Sequence, residues 1–370
     1  MNPALQRTVE LVLIILIGYL LQRKLNAKQQ LEGVKLIILN VALPATIFLA
    51  LLKIELKASL LILPVAALGF NLYMLLASRF FLPVLQPGIS GKQRRTLSLL
   101  LPSLAPGLSC FPFILAYLDD SSLALAALAD VGNKFFGLIL LYLLAMQWYH
   151  RRNSETNGKS TTGKLKGLLL SLIREPINAA IALALILLIA GLGLEHLPAA
   201  IASTINRFSL MMVGLVLLFI GMAVRVGKSD LRQIALLLSW RSGMALLFSG
   251  IFLLLFPALS PAMALLILVF PQSSCSFWPY AHMHLVGKLE TDRNIKGPTF
   301  DTDLAINILA CSLPFSSLFI LLIFNFGSFF STGWISLSLG TGMVLIGLMP
   351  RIWSWIRRQV FAPEAIKDIG

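Results

Sequence analysis

Positive charge falls in every second gap of this chain. About eleven stretches of mostly apolar residues run from Leu11 to Met349. Of the 30 lysines and arginines, 24 lie in the alternate connections bounded by Arg23–Lys35, Arg79–Arg95, Arg151–Arg174, Arg225–Arg232, Lys288–Lys296 and Arg351–Lys367. The opposite ends hold only Arg7, Lys53 and Lys57, while Lys134, Arg207 and Arg241 lie inside apolar segments. Cytoplasmic connections of membrane proteins carry the excess of Lys and Arg. The pattern therefore predicts a multi-pass protein of the cell (inner) membrane. Its amino terminus is expected outside, and its central polar loop and carboxyl terminus in the cytoplasm.

Composition excludes the main alternatives. A 370-residue chain with 58% hydrophobic and 12% charged residues is too apolar for an ordinary soluble domain. The net charge of +14 then reads as loops facing anionic headgroups rather than a nucleic-acid face. Cys110, Cys275 and Cys311 are odd in number and scattered through apolar runs, which points to neither a disulfide framework nor a metal site. Arg23 and Lys24 close the first span and no small-residue cleavage site follows it, so a removed signal peptide is not expected. No GxSxG, HExxH or Gly-rich phosphate loop occurs; neither enzyme chemistry nor a cofactor is expected.

The spans are placed at roughly 8–22, 36–52, 59–78, 97–118, 122–148, 176–194, 202–224, 232–257, 261–285, 302–325 and 331–350. The polar tract RRNSETNGKSTTGK separates five spans from six, so the second set starts in the opposite orientation, as in an inverted repeat. The expected fold is all-α: residues 1–150 form one five-span repeat, 151–175 a cytoplasmic loop, 176–325 the second repeat, and 326–370 an added span with a tail. Span four, LPSLAPGLSCFPFILAYL, and span nine, VFPQSSCSFWPYAHMHL, share two prolines, small residues, a cysteine and aromatics. Prolines remove backbone donors, and unwound backbone at membrane depth survives only in protein or along a cavity. Ala105–Phe111 and Gln272–Phe277 are therefore expected to unwind and meet at mid-membrane, where half-helix ends bind ions.

With these segments in view, the chain resembles the auxin efflux carrier family, the PIN-like permeases of plants and bacteria. The resemblance rests on NVALPATIFLALL (Asn40–Leu52), CFPFILAY in span four, ALADVGNKF in span five, LVLLFIGMAVRVG in span seven and FPQSS in span nine, and it covers roughly residues 8–325. SLAPGLSC replaces the family's asparagine-and-glycine opening of span four, and the eleventh span exceeds the usual ten. The resemblance implies two interrupted helices crossing at the substrate site. It also implies a mobile domain of spans three to five and eight to ten, a scaffold of spans one, two, six and seven, and a homodimer through that scaffold. The implied substrate is a small organic anion, carried by alternating access. Alternatives are a cation-coupled exchanger or bile-acid-symporter-like carrier, and a membrane sensor or scaffold that transports nothing.

The candidate substrate-binding residues are Ala105, Pro106, Gly107, Ser109 and Pro112 in span four, Pro271, Gln272, Ser273 and Ser274 in span nine, and Asn71 and Arg241 on neighbouring spans. Asp130 is the one carboxylate deep in an apolar run, which costs about 2.5–3.5 kcal/mol on insertion scales. Lys134 follows at i+4 and Asn133 stands beside it, so a coupling role and a neutralised structural pair are both open. Arg241 lies about 13 Å along the helix from Arg232, deep enough to attract an organic anion or to act as a structural arginine. Asp119 and Asp120 read as a solvated loop, Asp301 and Asp303 as caps of span ten, and His282 and His284 as residues of different faces that do not share a metal.

Overall fold

The computed structural model describes residues 3–22, 24, 28–53, 58–86, 88–152, 176–223, 231–293, 295 and 297–361. The central polar tract from Asn153 to Glu175 and the tail after Phe361 lie outside them. Every regular element among the described residues is helical. The chain runs through α1 (Pro3–Leu21), α2 (Lys28–Ile37, a π turn Ile38–Ala42, then Leu43–Leu52), α3 (Ile62–Leu85), and α4, broken into Gly91–Leu100, Pro106–Ser109 and Phe111–Tyr117. Next come α5 (Asp120–Phe135, a π turn Phe136–Leu140, then Leu141–Arg152), α6 (Pro176–Ile189), α7 (Ala199–Ala223) and α8 (Leu231–Leu255). Last are α9, broken into Pro261–Val269, Phe270–Gln272 and Trp278–Asp292, then α10 (Thr302–Asn325) and α11 (Gly333–Phe361). Among the described residues, six helices are long and apolar enough to cross a membrane: Gln30–Leu52, Ile62–Leu85, Asp120–Arg152, Ala199–Ala223, Leu231–Leu255 and Thr302–Asn325. Val9–Leu21, Pro176–Ile189, Pro261–Gln272 and Gly333–Met349 are shorter apolar helices. This apolar bundle is compatible with a multi-pass membrane protein.

Helix starts follow local chemistry. Ser90 and Gln93 form a reciprocal capping box at the head of α4. The side chains of Asp119, Ser260 and Asp301 accept the backbone N–H of Ser122, Met263 and Leu304, opening α5, α9 and α10. Asp119 and Asp120 are thus not a free solvated loop: Asp119 is a cap, and Asp120 is ion-paired with Lys53 at the end of α2. Several helices also start earlier than the apolar pattern indicates. α2 begins at Lys28 and α4 at Gly91, because polar residues continue a helical ladder as readily as apolar ones once it leaves the hydrocarbon region. Lys35 therefore sits inside α2 rather than in the connection before it.

The prolines act differently from expectation. Pro106, Pro112, Pro271 and Pro279 all lie at the first or second position of a helical piece, where a missing N–H costs nothing. They open pieces rather than break them; Ala105 before Pro106 leaves the helical region (φ −129°, ψ 68°), whereas Phe270 before Pro271 stays in it (φ −59°, ψ −45°). The unwound stretch of α4 is consequently residues 101–105, not 105–111, while that of α9 is 273–277, one residue from expectation.

Helices α1, α2, α6 and α7 pack chiefly on one another, and α3, α4, α5, α8, α9 and α10 form a second group. Two close approaches hold the second group. A Cβ on Gly132 would stand 1.9 Å from the carbonyl oxygen of Pro64, so α5 lies directly on the backbone of α3. α11 packs along α8 in the same manner: a Cβ on Gly243 would meet the oxygen of Gly340 at 2.7 Å, and one on Gly340 would meet that of Gly243 at 2.9 Å. Small residues permit this backbone contact between apolar helices.

Candidate functional site

An interrupted helix exposes carbonyls and N–H groups that must find partners when buried. Here each break partners the other. Ala105 N–H donates to the oxygen of Ser274 at 2.8 Å. Ser109 Oγ accepts Ser274 N–H at 2.9 Å and donates to the oxygen of Ala105. Ser103 Oγ does the same two residues further along α9, accepting Ser276 N–H at 3.0 Å and donating to the oxygen of Leu100. The remaining N–H, that of Cys275, reaches Ser312 Oγ on α10 at 3.3 Å. α4 and α9 thus cross by direct main-chain and serine contact.

The free carbonyls of α4 are met from three sides. Arg241 on α8 donates from Nε to Leu101 at 2.9 Å and from a terminal nitrogen to Ser103 at 3.1 Å, and is 2% exposed. Asn133 on α5 donates to the oxygen of Leu104 at 3.0 Å and to the Asp130 carboxylate at 2.7 Å. Asn71 on α3 donates to Asn133 Oδ1 at 3.1 Å. Lys134 lies 3.5 Å from Asp130 and extends to Asn178 Oδ1 on α6 at 3.2 Å, joining the two helix groups. Gln272 donates to the oxygen of Ser242, next to Arg241, at 3.1 Å. Two buried oxygens in this network, Asn71 Oδ1 and Gln272 Oε1, have no hydrogen-bond partner. Each such group costs about 1–3 kcal/mol, and functional sites are where such costs are tolerated.

The structure brings together Asn71, Ala105, Ser109, Asp130, Asn133, Lys134, Arg241, Gln272 and Ser274. Ser273 turns back on its own chain, to the oxygen of Phe270. Pro106, Gly107 and Pro112 contribute backbone shape; a Cβ on Gly107 would stand 2.8 Å from Leu43, which marks where α2 closes on the crossing. Pro271 instead lines an apolar cavity of about 300 Å³ with Phe70, Ala129, Phe248, Phe252 and Phe270, each from a helix that serves the crossing. Ser103, Ser312 and Asn178 are members that sequence reasoning missed. Ser103 and Ser312 lie in serine-containing apolar runs that look like packing, and Asn178 reveals itself only as a neighbour of Lys134.

Two flanking features frame the site. His282 is buried with Nε2 2.9 Å from the oxygen of Gly137 in the α5 π turn and with its ring edge-on to Tyr142; His284 is exposed and lies alongside Tyr280. At one end of the bundle Arg95 and Arg152 both donate to Thr299, whose N–H and hydroxyl in turn serve the buried carboxylate of Glu290, and Lys92 pairs with Asp301 at 3.3 Å. Arg207 is exposed on α7 and takes no part in the crossing. Among the described residues no cluster of three His, Cys, Asp or Glu could hold a metal ion. No family model and no curated protein matches this sequence.

Proposed function

We propose that the chain is a permease of a small organic anion, driven by a gradient or facilitative, with its substrate at the α4–α9 crossing. The observation that carries this reading is the mutual bonding of two interrupted helices around buried charge. Such breaks, one in each half of a membrane chain, accompany substrate sites. Lys134 and Arg241 against the single carboxylate Asp130 leave one positive charge in excess among the buried groups there, a setting that favours an anion. In this reading the two halves are inverted repeats, α1, α2, α6 and α7 are a dimerising scaffold, and α3–α5 with α8–α10 move as the carrier, as the resemblance to the auxin efflux carrier family implies. The basic end of the bundle faces the cytoplasm, in keeping with the distribution of Lys and Arg.

The test is flux into proteoliposomes. Purified protein should give saturable uptake of radiolabelled monocarboxylates without ATP. Uptake no faster than in protein-free vesicles, across short and medium-chain acids, would sink the reading. A second reading, cation coupling, is favoured by the unpartnered oxygens of Asn71 and Gln272 in the network around the crossing, since hard cations are bound by such oxygens. Flux that stops when sodium is replaced by choline, or when the pH gradient is collapsed, would assign the coupling ion.

A further inference from the structure

Lys35 is a cation of the first helix group placed against the second. Its Nζ lies 4.8 Å from the centre of the Phe277 ring. Phe277 is the last residue of the α9 break, adjoining Ser276, whose N–H is held by Ser103. Despite this position Phe277 is 50% exposed, so protein leaves one side of the ring uncovered. Tyr280 follows at 5.3 Å between ring centres and His284 beyond it at 6.3 Å, one face of α9 leading away from the crossing. The lysine's carboxylate neighbour is Glu32 on its own helix, at 3.6 Å and more than half exposed, a contact that water weakens. A ring face holds an ammonium through its quadrupole, more weakly than a carboxylate with a direct hydrogen bond. Arg241, by contrast, already directs two donors at the carbonyls of α4.

We propose that Lys35 is the specificity-determining cation of the crossing: it leaves the Phe277 ring to take the charged head of a monovalent organic anion whose apolar part lies along Phe277 and Tyr280. This rests on the permease reading above. A single charge is favoured because the part of the ligand beyond its head lies along the Phe277 and Tyr280 rings, where a second carboxylate would lose water without meeting a cation. Lys35 is reachable by such a ligand, its side chain being 22% exposed.

The experiment measures binding of hexanoate and adipate, acids of equal chain length, to the purified full chain by titration calorimetry. The wild type should bind hexanoate more tightly than adipate. Lys35→Met should weaken hexanoate roughly ten- to a hundredfold, the loss of one charge-assisted bond, at unchanged melting temperature. Lys35→Arg should retain most of the affinity, and hexanoate should protect Lys35 of the wild type from an amine-acylating reagent, read by mass spectrometry. Should Lys35→Met not fold, Lys35→Gln, which keeps a polar head for Glu32, takes its place. Wild-type affinity in a folded Lys35→Met or Lys35→Gln variant, or no protection at position 35, overturns the role of Lys35 and leaves the permease standing. Failure of the wild type to bind any carboxylate overturns the permease reading itself, whatever the Lys35 variants do.

Discussion

At the scale of single residues, Arg241 is first a replacement for a helix's missing donors. The carbonyls of Leu101 and Ser103 have lost their ladder partners, and one guanidinium takes both. Arg241→Ala leaves two buried acceptors unpaired, at about 1–3 kcal/mol each, so the melting temperature of the purified protein should drop by several degrees. Lys in its place has one compact head instead of a planar fork and should recover only part of the loss. An unchanged melting point in Arg241→Ala would show that the arginine is not structural. Asp130 and Lys134 make a second test. Removing one member of a buried pair costs about 3–5 kcal/mol, whereas removing both is far cheaper. Asp130→Asn should therefore be markedly destabilised, and Asp130→Asn with Lys134→Met should regain much of the difference. Additive losses would mean that the pair is not coupled.

At the scale of elements, the crossing was legible because two serine-rich, doubly prolinated segments recur at matching places. What the sequence pattern misjudged was where the chain unwinds. Pro112 and Pro279 look like breakers until one sees that each stands near a helix start, where its ring fits the required φ; the residues before Pro106 bear the disruption instead. Lys35 was hidden for a related reason: an apolar window places the start of α2 after it, while the helix continues back to Lys28. The partners of the network, Ser103, Ser312 and Asn178, were illegible because side-chain contacts between distant helices leave no local periodicity. The attachment of α11 was also hidden, and it is testable. Gly340→Leu must push α11 off the backbone of α8 and should lower thermal stability, while Gly342→Leu, with nothing within 4 Å of its Cβ, should not. Equal effects at both positions would refute the close packing.

At the scale of the whole molecule, two polar contacts between described residues join the two helix groups at separate places. Lys134 to Asn178 lies at the crossing, and Lys53 to Asp120 ties α2 to the start of α5 at the other end of the bundle from Arg95, Arg152 and Glu290. An exposed pair such as Lys53–Asp120 contributes roughly 0.2–1 kcal/mol, enough to shift a two-state balance about fivefold at most and too little to threaten the fold. On the permease reading, Lys53→Met should therefore change transport rate by no more than that factor at constant melting temperature, and the exchange Lys53→Asp with Asp120→Lys should keep the wild-type rate. A rate change of a hundredfold, or loss of the wild-type rate in the exchange, would show that the contact does something other than bias the two groups.

The π turn of α5 carries its own consequence for tolerance to sequence length. A turn of this kind is an α-helix holding one residue too many, so the helix on either side keeps its phase only because the surplus is absorbed locally. Within regular α-helix, losing one residue turns everything downstream by about 100°. Deleting Gly137 should instead convert Phe136–Leu140 to ordinary helix and leave Asp130 and Tyr149 facing as before, with loss of the carbonyl that meets His282 as the main cost. A folded deletion variant at 137, set against an unfolded one at 127, would mark this turn as a place where the chain can change length without losing its crossing.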